Sequence, residues 1–159
     1  MVDGLAAAVS YTNEGETYEA STAFGITYTG VEGLSVSYGQ GESSGTINVD
    51  ADQTIMKASY AYGSFTIGAS NNDFDHTTST NDQEVSSISL AYTVSDNISV
   101  SYGEETIDLS GEVADIEVNG ISASYTSGGM TATIAQVEAE NVDHVSGTNK
   151  EVWKIGLSF

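Results

Sequence analysis

Apolar and polar residues alternate one by one along ten short stretches of this 159-residue chain. The alternation is plainest at Ile98–Gly103, where Ile, Val and Tyr are separated by Ser, Ser and Gly. Because successive side chains of a β-strand point to opposite faces, this period of two places the apolar groups together on one face. The chain is therefore predicted to be all-β.

Connections of two alternating lengths join the ten stretches. Short connections of 2 to 5 residues, rich in Gly, Ser, Asp and Asn, are typical of hairpin turns, and long ones of 12 to 20 residues separate the other apolar cores. The pattern predicts one domain, residues 1–159, with ten antiparallel strands, short turns at one end and long loops at the other. A change of phase near Asn119 and Gly120 predicts a glycine bulge. The apolar cores begin at Leu5, Phe24, Leu34, Met56, Phe65, Ile88, Ile98, Ile121, Met130 and Trp153.

An aromatic residue closes every second stretch at a regular interval. Successive members are 34, 30, 33 and 34 residues apart, and all of them fall at the short-turn end. Tyrosine is a good strand former, but propensity alone does not explain so regular a spacing. An aromatic girdle at a membrane–water interface does, because the ring prefers apolar surroundings and the hydroxyl prefers water. The girdle is predicted to comprise Tyr28, Tyr62, Tyr92, Tyr125 and Phe159.

The composition of the second face favours a membrane barrel over a soluble core. Between the apolar positions stand Ser, Thr, Gly and Ala, which neither fill a dense core nor supply solubilising charge. If the apolar face contacts lipid, every backbone N–H and C=O must still find a partner, which a closed barrel provides. The pattern predicts an antiparallel up-and-down transmembrane β-barrel whose polar face surrounds water.

Charge and composition exclude several classes of protein. The net charge is −20, with 23 acidic residues against three lysines and no arginine, so nucleic acid is not an expected partner. The absence of cysteine excludes disulfides and thiolate metal sites. The longest apolar run, Leu5–Val9, is far shorter than a membrane-spanning helix. Of the acids, 20 lie in or beside the long connections, which predicts an acidic mouth that favours cations.

The strand sequences resemble those of a known family. The segments GLSVSYGQGES, YTVSDNISVSYG, VNGISASYTSGGMTATIAQ and VWKIGLSF are similar to the C-terminal portion of Gram-negative general porins of the alphaproteobacterial and marine type. The resemblance implies a water-filled outer-membrane channel through which small hydrophilic solutes diffuse passively, without cofactor or enzymatic activity. It also implies a homotrimer of sixteen-stranded barrels, of which this chain would supply the last ten strands.

The resemblance gives roles to particular residues. The terminal Phe159, with Trp153, Ile155 and Leu157 at alternate preceding positions, resembles the signal that the outer-membrane assembly machinery recognises. The family's arginine row on the barrel wall has no counterpart, and Lys57 and Lys154 are candidate pore-lining cations unless they sit near a rim and balance local acids. Outer-membrane lipid and lipopolysaccharide are the implied surroundings. The predicted pore-lining residues are Lys57, Lys154, Ser35, Ser37, Thr66, Ser89, Ser99 and Ser101.

Other readings of the sequence stay open at this point. A complete ten-stranded barrel with a plugged interior, serving as an anchor or adhesin, fits the same pattern, as does a soluble extracellular β-sandwich. The pairs Asp75-His76 and Asp143-His144 allow a hydrolytic dyad, but neighbouring residues diverge and solvated loop positions are expected. No metal site is predicted, because the acids Asp73, Asp75, Asp82 and Glu84 lack the spacing of a calcium loop.

Overall fold

The computed structural model describes residues 3–16, 20–44, 50–77 and 81–159. Ten β-strands account for most of these residues, and a 3₁₀ turn at Val142–His144 precedes the last strand. Among the described residues, no helix has the length and apolar character needed to cross a membrane. The strands are β1 (Leu5–Thr12), β2 (Ser21–Tyr28), β3 (Leu34–Ser44), β4 (Asp50–Tyr62), β5 (Phe65–His76), β6 (Gln83–Ser95), β7 (Ile98–Leu109), β8 (Ile116–Ser127), β9 (Met130–Glu140) and β10 (Lys150–Ser158).

All ten strands belong to one sheet, in which each strand pairs antiparallel with the next along the chain. The predicted all-β, up-and-down architecture is confirmed, with short turns at one end and long loops at the other. A β-sandwich needs two packed sheets, and the described strands form one. Within the described residues β1 and β10 each pair on one side, so the sheet is open.

The sheet has no dry core. Ala51 is the one buried hydrophobic residue in the described part of the chain, at 6% exposure. The apolar residues of the strand centres are instead open on their own face; Ile67 is 53% exposed and Leu157 is 65% exposed. Burial of apolar side chains is the main stabilising term of soluble folds. The exposed apolar face is therefore expected to contact an apolar solvent such as lipid.

The two faces of the sheet differ in exposure. Along β7, Ile98, Val100 and Tyr102 are exposed, whereas the intervening Ser99 and Ser101 are half-buried. The same alternation occurs in β2. The lower exposure of the hydroxyl-bearing face on these strands is what a sheet curved toward that face would give. We call the hydroxyl-bearing face the inner face and the apolar face the outer face.

The predicted bulge near Asn119 and Gly120 is wrong. β7 and β8 pair without a register shift, and Gly120 lies opposite Gly103. The phase changes because the inner face itself becomes apolar there, through Ile116 and Val118. The register shift instead lies between Thr93 and Ser95, where β6 approaches its turn into β7.

Two turn glycines provide a test of the hairpin geometry. Gly33 has φ +78°, and a Cβ placed there would lie 2.2 Å from the Ala61 carbonyl oxygen, whereas Gly63 has φ +58° with no atom within 4 Å. A left-handed backbone costs an L-residue about 1–2 kcal/mol. We expect Gly63→Ala to lower the free energy of unfolding by about that amount and Gly33→Ala to lower it further, as measured by denaturant titration. Equal losses at the two positions would contradict the close approach at Gly33.

Candidate functional site

The outer face carries an unbroken apolar belt from β1 to β10. Strand register keeps the belt continuous: Ile67 on β5, for example, lies between Tyr60 on β4 and Leu90 on β6. Further along the sheet, Ile134 on β9 lies between Ala123 on β8 and Ile155 on β10. Every strand therefore contributes to one apolar surface.

The register relates the predicted aromatic girdle to the inclination of the strands. Following the register from Tyr28 across β3 leads to Ala58 on β4, which is four residues above Tyr62, that is, nearer the long loops. The corresponding distance between the position reached and the next girdle residue is zero from Tyr62 to Tyr92, two residues from Tyr92 to Tyr125, and two residues from Tyr125 to Phe159. The girdle thus shifts by eight residues over eight strand steps.

One residue of shift per strand corresponds to a definite tilt. With a rise of about 3.3 Å per residue and about 4.8 Å between strands, a level girdle requires strands inclined by about 35° to the barrel axis. Transmembrane barrels have strands tilted by about 35–45°. A level girdle therefore requires the strand tilt that transmembrane barrels have.

The strands also set the height of the apolar belt. Eight residues separate the girdle from the first outward acid on three strands: Tyr92 from Glu84, Tyr125 from Glu117, and Phe159 from Glu151. On β7 the outward Glu104 lies lower, directly opposite Ile88. At the tilt above, eight residues span about 22 Å. The outward apolar band of outer-membrane barrels is about 25 Å tall. The belt therefore matches the hydrocarbon thickness of such a membrane.

Two aromatic residues of the belt have a polar atom that reaches toward an acid above them. The indole Nε1–H of Trp153, at the upper edge, donates a hydrogen bond of 2.7 Å to the Glu151 carboxylate, two residues further up β10. The Tyr102 hydroxyl donates to Glu104 in the same way on β7, at the lower level of Leu90 and Ile121. Each ring thus lies against the apolar belt while its polar atom reaches upward, as interfacial aromatics do.

The inner face is a wall of paired hydroxyl groups. At several positions two Ser or Thr residues on adjacent strands lie directly opposite each other, and their hydroxyl oxygens are within hydrogen-bond distance. Such hydroxyls stay compatible with water while satisfying one another. The pairs are Ser70 with Ser87 (2.8 Å), Ser99 with Ser124 (2.7 Å), Ser101 with Ser122 (2.7 Å), Thr27 with Ser37 (3.1 Å) and Thr126 with Thr131 (2.9 Å).

An apolar belt of membrane height outside and a hydroxyl wall inside are the two surfaces that a lipid-embedded channel requires. The family model for Gram-negative porins matches residues 1–145. The chain belongs to the Gram-negative porin family. It is thus an outer-membrane protein with the β-sheet architecture of a channel family. The matched residues end before β10, and no curated protein matches the chain.

The porin's strand acids lie almost entirely on the outer face. Strand alternation and register place eleven of the twelve acidic side chains described within strands on that face, and the exception is Glu105. An acidic channel mouth is predicted from the position of the acids near the long connections, but these strand acids face away from the interior. The outward acids are Glu42, Asp52, Asp73, Asp75, Glu84, Glu104, Asp108, Glu117, Glu138, Glu140 and Glu151.

The predicted pore-lining residues lie on one face. Lys57, Lys154 and the six Ser and Thr positions all alternate with outer-face apolar residues and so point inward. The structure adds inner-face residues that sequence reasoning did not name, although the same alternation would have found them. They are Ser59, Ser70, Ser87, Ser122, Ser124, Glu105 and Lys150.

The upper part of the inner face is mainly apolar on β6 to β10. Val85, Ile107 and Ile116 follow one another across β6, β7 and β8, and Val137 lies opposite Val152 on the last two strands. All five are half-buried. On these strands polarity therefore reverses with height: apolar outside and hydroxyl inside below, acidic outside and apolar inside above.

The two Asp-His pairs do not form a dyad. Asp75 points outward and His76 inward, as expected for neighbours in a strand. The other histidine joins two loops instead: His144 Nδ1 lies 2.9 Å from the Ala114 carbonyl oxygen, and Asn141 Nδ2 donates to the Asp115 carbonyl at 3.0 Å. This loop tie connects the β7–β8 and β9–β10 connections.

The acids Asp73, Asp75, Asp82 and Glu84 are close enough to affect one another. Partial burial, followed by repulsion from Asp75, Glu84 and Asp82, raises the pKa of the Asp73 carboxyl, which lies above the membrane-spanning belt. Asp82 accepts a hydrogen bond of 2.8 Å from the His76 backbone N–H. In the ranges that the structure describes, no group of three or more His, Cys, Asp or Glu residues could hold a metal ion.

The outer and inner faces can be told apart by placing one charge on each. We expect Ile121→Arg to destabilise the membrane-inserted protein by about 2–4 kcal/mol, because Ile121 lies midway between Tyr125 and Glu117 on the outer face and its charge would face hydrocarbon at mid-belt. The adjacent Ser122→Arg faces the interior and should cost much less. Urea unfolding in lipid vesicles measures both. Equal losses would contradict the assignment of the faces.

The raised pKa of Asp73 predicts a pH effect. A carboxyl whose folded-state pKa exceeds its unfolded value binds its proton more tightly when folded, so acidification through that range favours the fold. Asp73→Asn should therefore raise the unfolding midpoint at pH 7, and the gain should vanish at a pH where the wild-type carboxyl is protonated. Thermal unfolding across pH measures this, and a gain independent of pH would argue against repulsion at Asp73.

Proposed function

We propose that this chain forms part of the wall of a water-filled channel through which small hydrophilic solutes diffuse passively across the outer membrane. The observation that carries the proposal is the pairing of an exposed apolar belt with an inner face of hydroxyl groups. A wall of hydroxyls can form hydrogen bonds with a passing solute and its water without binding it tightly. The apolar belt keeps the wall in lipid. We assign no enzymatic role to this wall.

Barrel size supports a wall larger than these ten strands. Barrels of about eight strands have interiors that side chains fill, whereas those of 16–18 strands leave an aqueous channel. Passive diffusion of hydrated solutes therefore favours the sixteen-stranded closure of the resembled porins, with the present strands as its last ten. The proposal includes the homotrimer, contacts with lipopolysaccharide and recognition of Phe159 by the assembly machinery.

A plugged barrel is the second candidate, and one observation favours it. The apolar upper inner face, with Val85, Ile107 and Ile116 in line, is a surface against which an inward-folded segment would pack. A channel and a plug differ in conductance. Planar-bilayer recording of the full-length protein should show stable open levels if the interior is water-filled, and the plugged anchor predicts none.

The proposed cation preference depends on which acids face the solute. The outward strand acids are separated from the interior by the sheet, so the acids of the long loops and Glu105 carry the preference. Glu105 and Glu104 are adjacent and face opposite sides, which provides a matched pair. In a salt gradient, Glu105→Gln should shift the reversal potential toward anions, and Glu104→Gln should leave it nearly unchanged.

Two outcomes would count against this account of selectivity. Anion preference in the wild-type channel would contradict the cation preference itself. Equal shifts in the two glutamine variants would mean that the outward acids act on permeating ions as strongly as Glu105 does. The passive channel would survive either result, because its test is conductance.

A further inference from the structure

Lys57 lies in a hollow lined by serines on the inner face. On β4 it is directly opposite Ser37 of β3 and Ser70 of β5. The hollow has a volume of ≈ 330 Å³. Its hydroxyl-bearing residues are Ser35, Ser37, Ser59, Ser70, Ser87 and Ser89.

The Lys57 ammonium is exposed, and within the described residues it has no hydrogen bond or ion pair. The acid on its own row of the inner face is Glu105, three strands away beyond Ser70 and Ser87. Three strand spacings are about 14 Å, more than the screening length of about 8 Å at physiological ionic strength. This inner-face acid therefore does not neutralise Lys57.

The chemistry of the hollow suits an oxyanion. The ammonium offers three N–H donors and no acceptor. Ser70 and Ser87 share one hydrogen bond of 2.8 Å, which uses one of their two hydroxyl hydrogens and leaves the other to donate. An anionic oxygen group can thus accept hydrogen bonds from the ammonium and from a neighbouring hydroxyl together.

We propose that Lys57 and its serines form a binding station for the anionic oxygen group, carboxylate or phosphate, of a solute passing through the channel. The proposal rests on the proposed channel function and names the class of solute that this part of the wall retains. It concerns one local site and not the ion preference of the whole pore, which the loop acids and Glu105 carry.

Lys154 provides a matched control. It also lies on the inner face, but its direct partner on β9 is Ala135, and its neighbours two residues away along β10 are Val152 and Gly156. Lys154→Gln therefore removes the same charge from the same face, but at a position where these three neighbours carry no hydroxyl groups. Comparison with Lys57→Gln separates the station from general wall charge.

The test compares entry of glucuronate and of glucose into liposomes that contain the full-length protein. We expect Lys57→Gln to lower the ratio of glucuronate to glucose entry by about 1.5- to 5-fold, the range that exposed charge pairs contribute. Lys57→Arg should retain most of the ratio, and Lys154→Gln should change it less. The effect should shrink as salt is raised. An unchanged ratio in Lys57→Gln, or an equal fall in Lys154→Gln, would overturn the station.

A second measurement does not depend on conduction. Inorganic phosphate titrated into the detergent-solubilised protein should broaden its ³¹P resonance, and Lys57→Gln should remove most of this broadening while Lys154→Gln leaves it. Equal broadening with Lys57→Gln and wild type would overturn the station. Liposomes that admit no glucose would instead contradict the channel, and the phosphate titration would still decide whether the station exists.

Discussion

Backbone hydrogen bonding between neighbouring strands is the constraint on which this structure depends. With Ala51 as the one buried hydrophobic residue among those described, side-chain burial contributes almost nothing that a soluble fold would use. In hydrocarbon, an unpaired N–H or C=O costs several kcal/mol. The ladder from β1 to β10 satisfies these groups strand by strand, while lipid solvates the apolar face. The open edges of β1 and β10 are the places where this pairing is incomplete.

The reversal of polarity along β6 to β10 explains why one sequence pattern serves two environments. Within the belt, apolar groups face lipid and hydroxyls face the interior. Above it, acids such as Glu84 and Glu117 face the water and headgroups outside, while Val85 and Ile116 face inward. Acids directly opposite each other, such as Asp73 and Glu84, repel across strands. This repulsion is tolerable only in water, which places the upper segments outside the hydrocarbon.

Much of the fold could be predicted because period-two alternation and turn composition are local signals. They gave ten strands, their order and the inner positions of Lys57 and Lys154. The outward direction of the acids could not be read, because strands such as β6 and β7 extend well past their apolar cores. There the apolar positions switch faces, and the same switch at Ile116 and Val118 imitated a bulge. The serine hollow and the loop tie through His144 depend on cross-strand partners that only the register supplies.

The hydroxyl pairs of the inner wall also bear on how quickly a solute can leave. Ser99 and Ser124, like Ser101 and Ser122, already hold each other at 2.7 Å, so a sugar or hydrated ion that exchanges with them breaks one bond to form another. A hydroxyl of this surface therefore gains little free energy when it exchanges its hydroxyl partner for a solute. Such a lining favours throughput over retention, and longer residence requires a group such as Lys57, which has no hydrogen bond or ion pair within the described residues.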